Sequence, residues 1–70
     1  MEELTRKQKE ILTYIKKFIV NHGYAPSVRE IGAAAKLNSP ATIHFHLKKL
    51  EEKGFIKKDN SKNRTIELLV

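Results

Sequence analysis

Apolar residues return at helical spacing through the first third of the chain. Ile11, Leu12, Ile15, Phe18 and Ile19 fall on one side of a helix, with Lys16 and Lys17 on the other. Ahead of them, Thr5-Arg6-Lys7-Gln8 has the Thr-x-x-Gln form of a capping box, in which side chains satisfy amides left open at a helix start. Asn21-His22-Gly23 ends this first predicted helix, and Gly23 suits the left-handed residue that follows it. After the connector Tyr24-Ala25-Pro26, Ser27-Val28-Arg29-Glu30 repeats the capping box, with Pro26 and Ile31 spaced as a hydrophobic staple. Val28, Ile31 and Ala35 are predicted to face inward, and Lys36-Leu37-Asn38 interrupts this second, brief helix.

Ser39-Pro40 predicts a third start, a cap followed by proline at the first helical position, where its missing N–H is not missed. This helix is expected over residues 40–53, with Gly54 closing it. The period then changes. Phe55-Ile56-Lys57-Lys58, the polar run 59–63 and the run 64–70 read as strand, turn, strand. The predicted fold is therefore mainly α with a small β-hairpin, a three-helix winged helix-turn-helix filling residues 1–70 as one domain. The run Leu68-Leu69-Val70 is still apolar, which suggests a domain cut from something longer.

The third helix carries the candidate chemistry. At 100° per residue, Ala41, His44, Phe45, Lys48 and Lys49 lie away from Ile43, Leu47 and Leu50. Phe45 has three readings. It is a lone exposed ring, or it packs under the wing, or it meets apolar edges in a DNA groove such as a thymine methyl, with His44 beside it at a base. In the DNA reading the first helix packs across the other two, the second braces on the backbone, and the third enters the major groove. Ser39 and Thr42 at the helix start, Ser27 and Arg29 on the second helix, and Lys48, Lys62 and Arg64 are then the remaining contact candidates. Ser39 is expected to cap its helix in any case, and Lys53 to pair locally or complement the helix C-terminus.

Composition narrows the classes. The chain has 70 residues, a net charge of +6 and no cysteine, so its core must come from packed helices and strands, and its charge suits a polyanion. His44 and His46, two apart on a helix, point about 200° from each other and cannot converge on one ion, so neither a metal nor a cofactor is expected. No catalytic constellation emerges, and the chain is not expected to be an enzyme. Its apolar runs fall far short of the roughly 20 residues a bilayer requires, and the default is a cytoplasmic, nucleoid-associated protein without a membrane partner. The competing reading is a winged-helix protein-interaction module with Phe45 as the anchor. A structured-RNA partner is disfavoured, because a narrow RNA major groove does not admit a helix.

The stretches LTRKQKEIL (4–12), GYAPSVREIG (23–32), SPATIHFHLKKLEEKGFI (39–56) and RTIELL (64–69) together resemble the amino-terminal DNA-binding domain of the LexA family of bacterial SOS-response repressors. The resemblance covers essentially the whole chain. It implies binding of palindromic double-stranded operators as a dimer, one half-site per subunit, and repression of DNA-repair genes. It also implies a carboxy-terminal domain, absent here, that supplies the dimer interface and a serine–lysine peptidase whose self-cleavage RecA filaments stimulate. The isolated domain is then expected to be a monomer that pairs on DNA. Carried over residue by residue, the base-reading positions are Ser39, Ala41, Thr42, His44 and Phe45. Ala41 and Phe45 stand where several relatives carry polar or much smaller residues, so an operator sequence does not transfer. Lys36 occupies a turn position where glycine is usual.

Overall fold

The computed structural model describes residues 4–58 and 66–69. Its elements run α1 (Arg6–His22), α2 (Val28–Ala35), α3 (Pro40–Glu52), β1 (Ile56–Lys58) and β2 (Ile66–Leu68). The strands form an antiparallel pair with Ile56 opposite Leu68 and Lys58 opposite Ile66. This is the mostly helical, winged helix-turn-helix order that the periodicity predicts. The predicted turn 59–63, together with residues 64, 65 and 70 of the predicted second strand, lies outside the described residues.

Both predicted capping boxes form. Thr5 Oγ1 accepts from the Gln8 amide at 3.1 Å while Gln8 Oε1 accepts from the Thr5 amide at 3.1 Å. Ser27 Oγ accepts from the Glu30 amide at 3.2 Å, and Glu30 Oε1 accepts from the Ser27 amide at 2.8 Å. Pro26 and Ile31, the expected staple, are both fully buried.

Ser39 departs from expectation, since its side chain makes no capping bond. Proline at the next position presets φ and removes one of the four amides a helix start leaves open, and α3 begins without that cap. The three starts therefore differ in what an alanine costs. Ser27→Ala is expected to lower unfolding free energy by about 1 kcal/mol, and Ser39→Ala by a few tenths at most, in chemical denaturation.

The other end of α3 has a Schellman motif. Gly54 sits at φ +83°, its amide donates to the Glu51 carbonyl at 3.0 Å, and the Phe55 amide donates to the Leu50 carbonyl at 3.0 Å. Lys53 falls just beyond the helix, which ends one residue earlier than predicted. Lys53 Nζ donates to Gln8 Oε1 at 3.0 Å, a long-range contact that ties the end of α3 to the start of α1. The reason is packing, because Gln8 is buried and its carbonyl oxygen is turned towards that helix end.

The core lies between the three helices and the inner face of the hairpin. Ile11, Ile15, Ile31, Leu47, Leu50 and Ile56 are fully enclosed, and Leu12, Ala25, Ala35, Ile43 and Ile66 complete the cluster. Lys36 holds the left-handed conformation after α2 at φ 58°, ψ 41°, so the turn keeps its usual geometry without glycine. A further tie fixes α2 against α1. Lys7 Nζ donates to the carbonyl of Ala35 at 2.9 Å, satisfying one acceptor left open at the end of α2.

Candidate nucleic-acid interface

The candidate face is built by α3. Ile43, Leu47 and Leu50 point into the core, and that leaves Ala41, His44, Phe45 and Lys48 exposed along the opposite side. Their spacing of three, four and seven residues makes one contiguous stripe about 10 Å long, which corresponds to roughly three base-pair steps. Thr42 is half-buried at the flank of this stripe, and Ser39, with its hydroxyl uncommitted to capping, is exposed at its amino-terminal end.

Phe45 projects from the surface, 54% exposed, and is absent from the core under the wing. It is not free to wander. The His46 ring meets it edge-on with centroids 5.6 Å apart, and Lys49 Nζ lies 5.6 Å from its centroid in a cation–π arrangement. Lys49 is itself 3.5 Å from the Glu52 carboxylate. The neighbouring histidines part as their spacing predicts: His44 is exposed, whereas His46 is half-buried with Nδ1 enclosed. His44 is not alone, because Lys58 Nζ lies 2.9 Å from its Nδ1. Nothing in the sequence signals that contact, which depends on how the hairpin folds back.

On α2, Arg29 is exposed and Ser27 is half-buried with its hydroxyl engaged in the cap. The Ser27 hydroxyl accepts in its own cap and its O–H remains a donor, so Ser27 and Arg29 both stand as phosphate candidates. Lys62 and Arg64 lie outside the described residues. A shallow open depression along α1, lined by basic Arg6, Lys9 and Lys17 and acidic Glu10 among others, shares no residue with the α3 face. Among the described residues no three His, Cys, Asp or Glu side chains come together as a metal site. No described helix is long and apolar enough to cross a membrane.

The family model described as LexA DNA binding domain matches residues 1–65. The chain belongs to this family. It is 55% identical over 69 residues to the LexA repressor of Staphylococcus epidermidis, covering 99% of this chain and 34% of that protein. The LexA repressor of Staphylococcus haemolyticus is likewise 55% identical over 69 residues, with 33% of its length covered. That of Staphylococcus aureus strain USA300 is 54% identical over the same span, again with 33% covered. The chain thus spans about a third of the length of these LexA repressors. The resemblance drawn from GYAPSVREIG and SPATIHFHLKKLEEKGFI accordingly holds across the domain.

Proposed function

We propose that this chain is the operator-reading part of a transcriptional repressor of DNA-damage response genes, binding double-stranded DNA with α3 in the major groove. The carrying observation is the division of α3 into two faces. Ile43, Leu47 and Leu50 hold the helix on the core, and this frees Ala41, His44, Phe45 and Lys48 to meet base edges. Ser39 and Thr42 join them at the helix start. Ser27, Arg29, Lys62 and Arg64 would hold phosphates on either side. The net charge of +6 supplies the sequence-independent attraction. The LexA repressors to which it is similar support the repressor role. Two copies on a palindromic operator, one per half-site, is the arrangement this reading favours, in the cytoplasm, with RecA acting only on a full-length protein.

The test is selection of bound sequences from a random duplex pool, with wild type and Phe45→Ala at one fixed salt concentration. Wild type is expected to enrich an inverted repeat. Phe45→Ala is expected to alter preference at one or two base pairs, by about 1–3 kcal/mol at each, with the repeat retained. Affinity should fall steeply with salt, log K declining by about 0.9 per phosphate contact for each decade. An exposed Phe45 would also serve a protein-interaction module. That reading predicts no enrichment and an affinity for DNA that Phe45→Ala leaves unchanged.

A further inference from the structure

Lys58 is the last residue of β1, and strand alternation decides where its side chain goes. Ile56 and Lys58 share the hairpin face that packs on the helices, paired with Leu68 and Ile66, while Lys57 between them points to solvent. Lys58 is therefore turned towards α3, and two bonds hold it there. Its backbone amide donates to Glu51 Oε2 at 3.2 Å, and its ammonium lies 2.9 Å from His44 Nδ1. His44 and Glu51 are two helical turns apart, so both sit on the α3 stripe that faces β1.

The chemistry of that contact has only one polarity. A lysine ammonium has three donors and no acceptor, so His44 Nδ1 must present its lone pair. A neutral imidazole with Nδ1 as acceptor carries its proton on Nε2. We propose that Lys58 is a positioning residue for sequence recognition: by donating to His44 Nδ1 it holds His44 as an Nε2–H donor, so that α3 reads a hydrogen-bond acceptor on a base edge. The inference rests on the groove reading of α3 and adds the sense of one contact to it.

The major groove then limits what His44 accepts as a partner. Guanine N7 and O6, adenine N7 and thymine O4 are acceptors. The amino groups of cytosine N4 and adenine N6 are donors and are refused. Lys58 is also withdrawn from the phosphate-binding pool, although its charge and its place in the wing would otherwise put it there.

The experiment compares wild type, H44A, K58M and the double variant in sequence selection and in competition with single-base-pair operator variants. Methionine keeps most of the lysine's apolar stem on the hairpin's inner face and removes the donor. H44A is expected to flatten discrimination at one base pair by about tenfold. K58M should flatten the same base pair, and the double variant should stay within about twofold of H44A, since the two residues act as one unit. If K58M instead weakens all sequences equally and lowers the salt slope by about one, Lys58 is a phosphate contact and the proposal is overturned. Unchanged discrimination in H44A overturns it too. Failure of the wild type to enrich any sequence would reject the groove reading itself, a different result from either. Nitrogen NMR of the free protein at pH 8 gives a check without DNA. The His44 ring is expected to carry its proton on Nε2, and a proton on Nδ1 overturns the proposal.

Discussion

Leu47→Ala is expected to cost about 2–5 kcal/mol, read as a fall in denaturant midpoint and a drop of about 15–35 °C in Tm. Leu47 is fully buried at the centre of α3, among side chains from all three helices and the inner face of β1. Removing it loses the transfer energy of the methyl and methylene groups and leaves a cavity that a small, tightly filled core cannot close. A chain of 70 residues has about 4–10 kcal/mol in total at the usual stability per residue. The variant would therefore be partly unfolded at 37 °C, with any loss of DNA binding following from that. Phe45→Ala, two positions away, gives the contrast. It removes an exposed ring with one edge contact and one cation–π contact, and its stability cost is expected to stay within about 1 kcal/mol. A DNA-binding defect in a fully folded Phe45→Ala protein would separate the recognition face from the core face by experiment. Equal destabilisation by both substitutions would show that the face assignment is wrong.

That the two faces could be told apart from the residues alone follows from helix geometry. The spacing of Ile43, Leu47 and Leu50 sets the buried side, and a fixed angle per residue then puts Phe45 and His44 opposite. Local signals were equally legible: two capping boxes, Gly23 and Gly54 at helix ends, and a change of period before the hairpin. These interactions span only a few residues, so the sequence order already brings the partners together. Ser39 shows the limit even at short range. Its residue type favours a cap, yet the helix starts on the preset φ of the proline after it and no cap bond forms.

The contacts that escaped the sequence join residues far apart in the chain. Lys53 reaches Gln8, Lys7 reaches the Ala35 carbonyl, and Lys58 reaches His44. Each depends on how closely two elements approach and at what angle, which no local pattern carries. A run of lysines reads as a solvated or phosphate-binding surface, whereas Lys53 and Lys58 are engaged within the domain, as is Lys49 against Phe45 and Glu52. Two of these cations hold α3: Lys53 at its carboxyl end ties it to α1, and Lys58 ties His44 on its exposed stripe to β1. Such ties make the presentation of His44 a property of the whole fold.

Gly32→Ala tests the close approach of α2 to the Ile43 side chain of α3, and two opposing effects set its sign. Gly32 lies inside α2, where replacing glycine with alanine ordinarily adds about 1 kcal/mol of stability through helix propensity. Here a Cβ would stand 2.5 Å from Ile43 Cδ1 and 3.3 Å from the Leu37 carbonyl oxygen. The first overlap demands movement, and Ile43 is 4% exposed among core neighbours, so its terminal methyl has little room to swing away. The second involves backbone: the Leu37 amide donates to the Gly32 carbonyl at 2.9 Å and pins the turn between α2 and α3. Overpacking of this kind costs about 1–3 kcal/mol, which outweighs the gain in propensity. Gly32→Ala is therefore expected to be net destabilising by about 1–2 kcal/mol in chemical denaturation. It should also shift α3 relative to α2, because separating the helices is the other way to relieve the contact. Weaker binding to selected operator sequences would accompany that shift, with preference at each base pair retained, since no side chain on the exposed face of α3 changes. The double variant Gly32→Ala with Ile43→Val, which removes the Cδ1 methyl, should be destabilised less than the sum of the two single changes. A stabilised Gly32→Ala protein would show that Ile43 rearranges freely and that this glycine has no packing role.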